Sequence, residues 1–215
     1  MDLSRVGLLP IRCSHTAFTA MTSHLRPALS LLILLTLITG LLYPLAVTGL
    51  AQLVFPWQAN GSVLARQGRA VGSALIGQNF TAPGYFWSRP SATATYPYNG
   101  LASGGSNLGP TNPALREAVR ARIAALRAAD PGNTAPVPVD LVTASASGLD
   151  PDISLAAARY QAARVARVRH LPLARVQALI DAQAHPRWLG LFGTPRVNVL
   201  ELNLALDGTP PQRAE

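Results

Sequence analysis

From Pro27 to Ala65 the chain carries no charged residue, and Leu29–Leu50 within that run holds ten leucines together with Ile33, Ile38 and Val47. Such a run has few ways to fold. At 1.5 Å per residue, roughly 22 residues of helix match the ~30 Å hydrocarbon core of a bilayer. Each large aliphatic residue favours insertion by roughly 0.3 to 0.6 kcal/mol, so the set contributes on the order of 4 to 8 kcal/mol before the polar residues subtract. A buried helix of a globular protein is disfavoured, because the run has no polar face to give to water. A cleaved signal peptide ending near Gly49 and Ala51 is the other alternative, but its apolar region normally runs about 7 to 15 residues. A retained transmembrane helix over 28–50 is therefore expected. Thr36, Thr39 and Thr48 are placed to bond back to helix carbonyls, and Gly40 with Pro44 predicts a kink or a close contact with another helix. Tyr43, Phe55 and Trp57 suit an aromatic belt at the far end.

The same run accounts for a charged fraction of only 13%, where about a quarter is usual. The charges themselves are unbalanced: eighteen basic residues against ten acidic ones give +8, and every basic residue is Arg. Without Lys, a Walker-type phosphate loop, a Schiff base and a Lys general base are excluded. The single cysteine, Cys13, rules out an intramolecular disulfide framework and a Cys-based zinc site, and the four His residues offer no ligand pair at helical spacing. Arg5, Arg12 and Arg26 precede the span, whereas Arg66 and Arg69 follow it only after a gap, so the positive-inside rule places the N-terminus in the cytoplasm. Met21 is a second candidate start, which would make 1–20 an upstream extension of the 1–26 segment and put Cys13 outside the functional protein.

Beyond the span, 56–208 has the composition of one small domain, followed by a 209–215 tail. Asn112-Pro113 reads as an N-cap and first helical position, and Leu115, Val119, Ile123 and Leu126 recur at helical spacing up to Asp130-Pro131-Gly132. The opposite face carries Arg116, Arg120 and Arg127, with Glu117 nearby. Further helices are predicted from about Ser154 to His170 and from about Leu173 to Ala184, with Pro172 near the first turn of the latter. Strands are predicted at Val71–Phe80, Val137–Ala144 and Val197–Leu206. Pro90–Pro110 is a Gly-, Ser-, Asn- and Tyr-rich loop, too long for an idle connection. The expected architecture is a single N-terminal transmembrane helix followed by an extracytoplasmic α+β domain.

Ser103-Gly104-Gly105-Ser106-Asn107 could present backbone N–H groups to a phosphate, or be a structural turn: it follows no clear strand and has no Walker lysine. The hydroxyl cluster Thr143–Ser147 has no nucleophile-elbow spacing and no nearby His. Arg159, Arg164, Arg167 and Arg169 form a basic helical patch with Tyr160 the only interleaved aromatic, which reads as a solvated or partner-facing helix and not as a nucleic-acid surface.

Several segments in order carry a resemblance. They are Arg26-Pro27-Ala28-Leu29, Phe55-Pro56-Trp57-Gln58-Ala59-Asn60-Gly61-Ser62, Gly72–Phe80, Tyr85-Phe86, Arg89-Pro90-Ser91-Ala92, Ser103–Asn107, Val142–Pro151 and Val197–Leu206. From Met21 to about Asp207 the chain resembles the C subunits of bacterial Kdp-type potassium-transporting ATPases. The resemblance implies a non-catalytic accessory subunit of an inner-membrane complex for ATP-driven K⁺ uptake. Its implied partners are a potassium-channel-like A subunit, an ATP-hydrolysing B subunit and a small F subunit. Its implied role is to stabilise assembly and to act as a catalytic chaperone raising the B subunit's ATP affinity. No catalytic residue, metal or cofactor of its own is implied, ATP and potassium being handled by the complex; Ser103, Gly104, Gly105, Ser106 and Asn107 are the candidate nucleotide-binding residues. With the N-terminus cytoplasmic, the domain is periplasmic, and its amide- or acid-rich loops are expected to face the cation path, with the Arg helices turned to solvent or headgroups. The alternative is a membrane-anchored periplasmic binding or enzymatic domain acting alone.

Overall fold

The computed structural model describes residues 15–208 and 212–213, with side chains from His24 to Gly208. Cys13 and the rest of 1–14 lie outside the described residues, as do 209–211 and 214–215 of the tail. The chain divides into two compact units at Pro56/Trp57.

The first unit is helical. α1 (His15–Leu37) passes through a π-helical turn, Ile38–Leu42, into α2 (Tyr43–Val54). Pro44 lacks an N–H and its ring crowds the carbonyl four residues back, that of Gly40; one extra residue in the turn relieves the conflict. The Tyr43 N–H accordingly donates to Ile38, five residues back. This is the irregularity expected at Gly40 and Pro44, and the Thr39 hydroxyl donates to the Leu35 carbonyl at 2.7 Å. His24–Val54 is long and apolar enough to cross a membrane and none of it is buried. At 1.5 Å per residue its 31 residues reach about 46 Å, enough for the hydrocarbon core and both headgroup layers.

The second unit starts within a short helix, α3 (Pro56–Ala59), which is followed by a hairpin of β1 (Val63–Arg66) and β2 (Arg69–Ser73). Gln67 and Gly68 both have positive φ, 51° and 74°, as a two-residue type I′ turn requires. Gln212–Arg213, within the 209–215 segment, form β6, which pairs antiparallel with β1 and gives the sheet order β2-β1-β6. Trp57 belongs to this unit: its indole donates to the Val63 carbonyl at 3.2 Å, and its ring packs on the cluster of Leu64, Leu200 and Leu204.

From Ala74 to Asn112 the backbone forms no regular element. α4 (Pro113–Ala129) starts where expected, with the Asn112 side chain accepting from the Ala114 N–H and Pro113 in the first turn. Ser154 likewise caps α5 (Leu155–Val168), and Pro172 precedes α6 (Leu173–Ala182). A second antiparallel sheet has the order β3-β5-β4, formed by β3 (Asp152–Ser154), β4 (Ala184–His185) and β5 (Arg196–Asn198).

The predicted strands are the largest departure. Val71–Phe80 is strand only to Ser73, after which the Asn198 side chain holds the Ala74 carbonyl. Val137–Ala144 forms a single 3₁₀ turn, Val139–Leu141, since Pro138 has no N–H for a ladder. Val197–Leu206 is strand for two residues and then α7 (Val199–Leu206). α7 is buried on two sides: Val199, Leu202 and Leu206 join the main core of Phe86, Ile153, Val165, Val176 and Ile180, while Leu200 and Leu204 face the smaller cluster. A helix that buries leucines on two faces belongs between two cores, which is why its sequence mimics a strand buried on both faces.

Candidate functional site

The loop from Ala74 to Asn112 is fixed by side chains in place of a strand ladder. The Asn203 amide accepts from the Phe86 N–H (2.9 Å) and donates to the Phe86 carbonyl (3.0 Å). Gln161 makes the same pair with Trp87, at 2.8 and 3.1 Å. Both amides are buried among apolar neighbours, and each acts as a one-residue strand partner.

Arg164 completes this arrangement. Only 2% exposed, it donates to the carbonyls of Pro83 and Tyr85 and to Gln161, and lies 4.6 Å over the Trp87 ring. Burial pulls its guanidinium down to about 10, so it is still charged at neutral pH. Arg169 donates to the Gly84 carbonyl, stacks on Tyr85 at 4.4 Å and pairs with Asp207 at 2.7 Å. The predicted basic patch is thus not a free surface: Arg164 is internal, and Arg159, Arg167 and Arg169 are paired with Asp181, Asp130 and Asp207.

Further along the loop, Ser91 gathers the chain. Its hydroxyl donates to the Gly148 carbonyl at 2.7 Å and accepts from the Tyr98 N–H at 2.8 Å. The Tyr98 hydroxyl donates to the Arg89 carbonyl, and the Arg89 guanidinium meets Asp150 at 2.8 Å. Burial pushes the Tyr98 phenol up. Ser103–Asn107 lies alongside: the Ser103 hydroxyl and the Gly104 N–H both donate to the Ser147 carbonyl, at 3.0 and 2.9 Å. A Cβ at Gly148 (φ 66°) would stand 2.7 Å from the Gly104 carbonyl oxygen, so glycine is required there. The Ser145 and Ser147 hydroxyls accept from the N–H groups of Gly148 and Leu149, which explains this Ser cluster as turn chemistry. Segments around positions 91, 104 and 147, far apart in the chain, therefore meet at one place. Ser103, Ser106 and Asn107 are exposed, while Gly104 and Gly105 are partly covered.

Beside it lies a cleft of about 360 Å³ between this loop and α4, lined among others by Phe80, Trp87, Arg89, Ser91 and Arg122. Partial burial lowers the Arg122 guanidinium, and among the described residues no carboxylate lies within 4.0 Å of it. Among the described residues there is also no group of three His, Cys, Asp or Glu placed to hold a metal ion. Arg122 and the stitching residues Gln161, Asn198 and Asn203 escape the sequence reading. The available signal was a lone amide interrupting an apolar helical stripe, as Gln161 does between Ala158, Ala162 and Val165.

One apolar helix able to span a membrane, joined to an α+β domain with an ordered loop surface, defines a class of single-span, membrane-anchored proteins. The chain belongs to the K⁺-transporting ATPase c chain family, whose model matches residues 25–208. It is similar to the potassium-transporting ATPase KdpC subunit of Polaromonas naphthalenivorans (strain CJ2), 68% identical over 194 residues, or 90% of this chain and 99% of that protein. The KdpC subunit of Methylibium petroleiphilum is also 68% identical, over 89% of this chain and all of that protein. That of Methylococcus capsulatus is 63% identical over 87% of this chain and 98% of that protein. The resemblance read from the ordered segments is borne out, and potassium transport is the process the family serves.

Proposed function

We propose that this chain is the non-catalytic accessory subunit of an ATP-driven potassium uptake complex, holding the assembly together and raising the ATP affinity of its ATP-hydrolysing B subunit. Its partners are the channel-like A subunit, the B subunit and the small F subunit, and it carries no cofactor, metal or nucleic acid. The observation that carries the reading is the loop around Ser91, Ser103–Gly105 and Ser147. Its hydroxyls and turn amides already serve its own backbone, which suits a preformed docking surface better than a reaction centre. Deleting the chain is expected to lower complex yield or ATP-dependent K⁺ uptake; unchanged assembly and uptake would sink the proposal.

In this reading the N-terminus lies in the cytoplasm of the bacterial cell and the domain in the periplasm. From there, an effect on ATP passes through the partners as conformational coupling. Direct nucleotide contact by Ser103–Asn107 requires a cytoplasmic domain instead. A Val139→Cys substitution in a Cys13→Ser background separates the two, since Val139 is 70% exposed. Labelling by a membrane-impermeant maleimide in intact cells supports the periplasmic placement, and labelling only after lysis supports the direct contact.

A further inference from the structure

Between β4 and β5 the chain forms a small hairpin that the family assignment leaves without a role. Trp188 and Phe192 form a two-way bridge, with N–H···O distances of 2.9 and 3.0 Å, and their rings lie 5.7 Å apart. The Gly190 N–H donates to Arg187 and the Leu191 N–H to Trp188, so the turn satisfies most of its backbone internally. Leu189, Gly190 and Gly193 all have positive φ, at 51°, 73° and 82°. A leucine in that region is held uphill, and here it is held with its side chain outward. Trp188, Leu189, Leu191 and Phe192 are 69, 72, 78 and 60% exposed. Other exposed apolar residues of the domain, such as Leu101 and Val139, occur singly, as on any protein surface. Four together on a preorganised tip are a contact surface.

The chemistry of the tip selects its partner. Between Asp181 and Glu201 the chain has no acidic residue, and the tip is flanked by His185, Arg187 and Arg196. Arg196 pairs with Asp152; Arg187 is exposed and has no carboxylate within 4.0 Å among the described residues. Aromatic and aliphatic side chains beside unpaired Arg, on a backbone that pairs with itself, suit the headgroup layer of an anionic bilayer. Chain continuity brings that bilayer near: the apolar helix ends at Val54 and the domain begins at Trp57. The short tether gives the domain a high effective concentration at the lipid, at which a weak contact is populated.

We propose that the Trp188–Phe192 hairpin inserts into the anionic headgroup region of the membrane that holds the apolar helix, giving the chain a second, shallow attachment. The proposal rests on the reading that His24–Val54 spans that membrane. The test uses the full chain in phosphatidylethanolamine–phosphatidylglycerol liposomes, in a Cys13→Ser background, with an environment-sensitive fluorophore at Leu191→Cys and, as control, at Val139→Cys. Insertion predicts a blue-shifted Leu191→Cys probe that loses most of its emission to spin-labelled lipid and little to aqueous iodide, with the reverse at Val139→Cys. Arg187→Gln, or exchange of phosphatidylglycerol for a neutral lipid, is expected to reduce the lipid quenching. Iodide quenching at both positions, with the protein still floating with the liposomes, would overturn the hairpin proposal alone. Failure to float would remove the spanning helix and the proposal with it. Shielding of the Leu191→Cys probe from both quenchers in the assembled complex would place the tip against a protein partner and also overturn the proposal.

Discussion

Arg164 occupies a site that Lys could not fill in the same way. Its fork reaches three acceptors while its plane lies on an indole, which a single ammonium cannot do. Arg164→Lys is expected to behave more like Arg164→Ala than like the parent. Each leaves buried acceptors unpaired at about 1 to 3 kcal/mol apiece, so a loss of roughly 3 kcal/mol or more should appear in denaturant melts; a melt unchanged by the Lys substitution would contradict this role. Asn203→Leu keeps the volume and the apolar surroundings but orphans both polar groups of Phe86. A cost of about 2 to 4 kcal/mol is expected, against a change near zero if water could replace the amide. Where these side chains go was not legible in the sequence. Arg164 looked like one member of a surface row with Arg159, Arg167 and Arg169, because helical spacing alone does not say which face meets a loop about eighty residues earlier.

At the level of elements, caps were legible because they act over three or four residues. Asn112-Pro113 predicted the start of α4, and Asn112→Ala should cost about 1 kcal/mol in thermal melts, with Asn112→Gly costing a few tenths. A comparable signal stands at the start of α7: Asn198 accepts from the Glu201 N–H, and Asn-x-x-Glu marks a helix start. Alternating apolar residues outweighed it, since a short run buried on both sides has neither helical nor strand contrast. The strand edge at Asp152 has a pH signature. Burial raises this carboxyl, Arg196 opposes the rise, and Asp150 adds to it. A raised native value means the contribution to stability is present below the ordinary carboxyl range and is lost as pH rises through the shifted value. Asp152→Asn should therefore melt at or above the parent at neutral pH, with its advantage shrinking in acid; a neutral-pH loss that disappears in acid would show that the Arg196 pair dominates instead.

At the scale of the whole molecule, the +8 is far from uniform. Carboxylates pair with Arg66, Arg89, Arg159, Arg167, Arg169 and Arg196, Asp207 serving both Arg66 and Arg169, whereas on α4 Arg116, Arg120, Arg122 and Arg127 have no carboxylate within 4.0 Å among the described residues. Reversing two of these, as in Arg116→Glu with Arg120→Glu, should change the salt dependence of K⁺ uptake by the complex if α4 borders the cation path. It should leave that dependence unchanged if α4 faces bulk solvent, as the sequence reading expects.

The side chains that stand in for a sheet around Phe86 and Trp87 also bear on motion. A loop bonded to itself can open alone, but one whose amide protons are held by residues of α5 and α7 can open only when those helices shift. The Phe86 and Trp87 amides should therefore exchange with deuterium on the timescale of the core helices, as one cooperative unit, although their own segment forms no helix or strand. A segment that looks like the most pliable part of the domain would then be among the last to unlock.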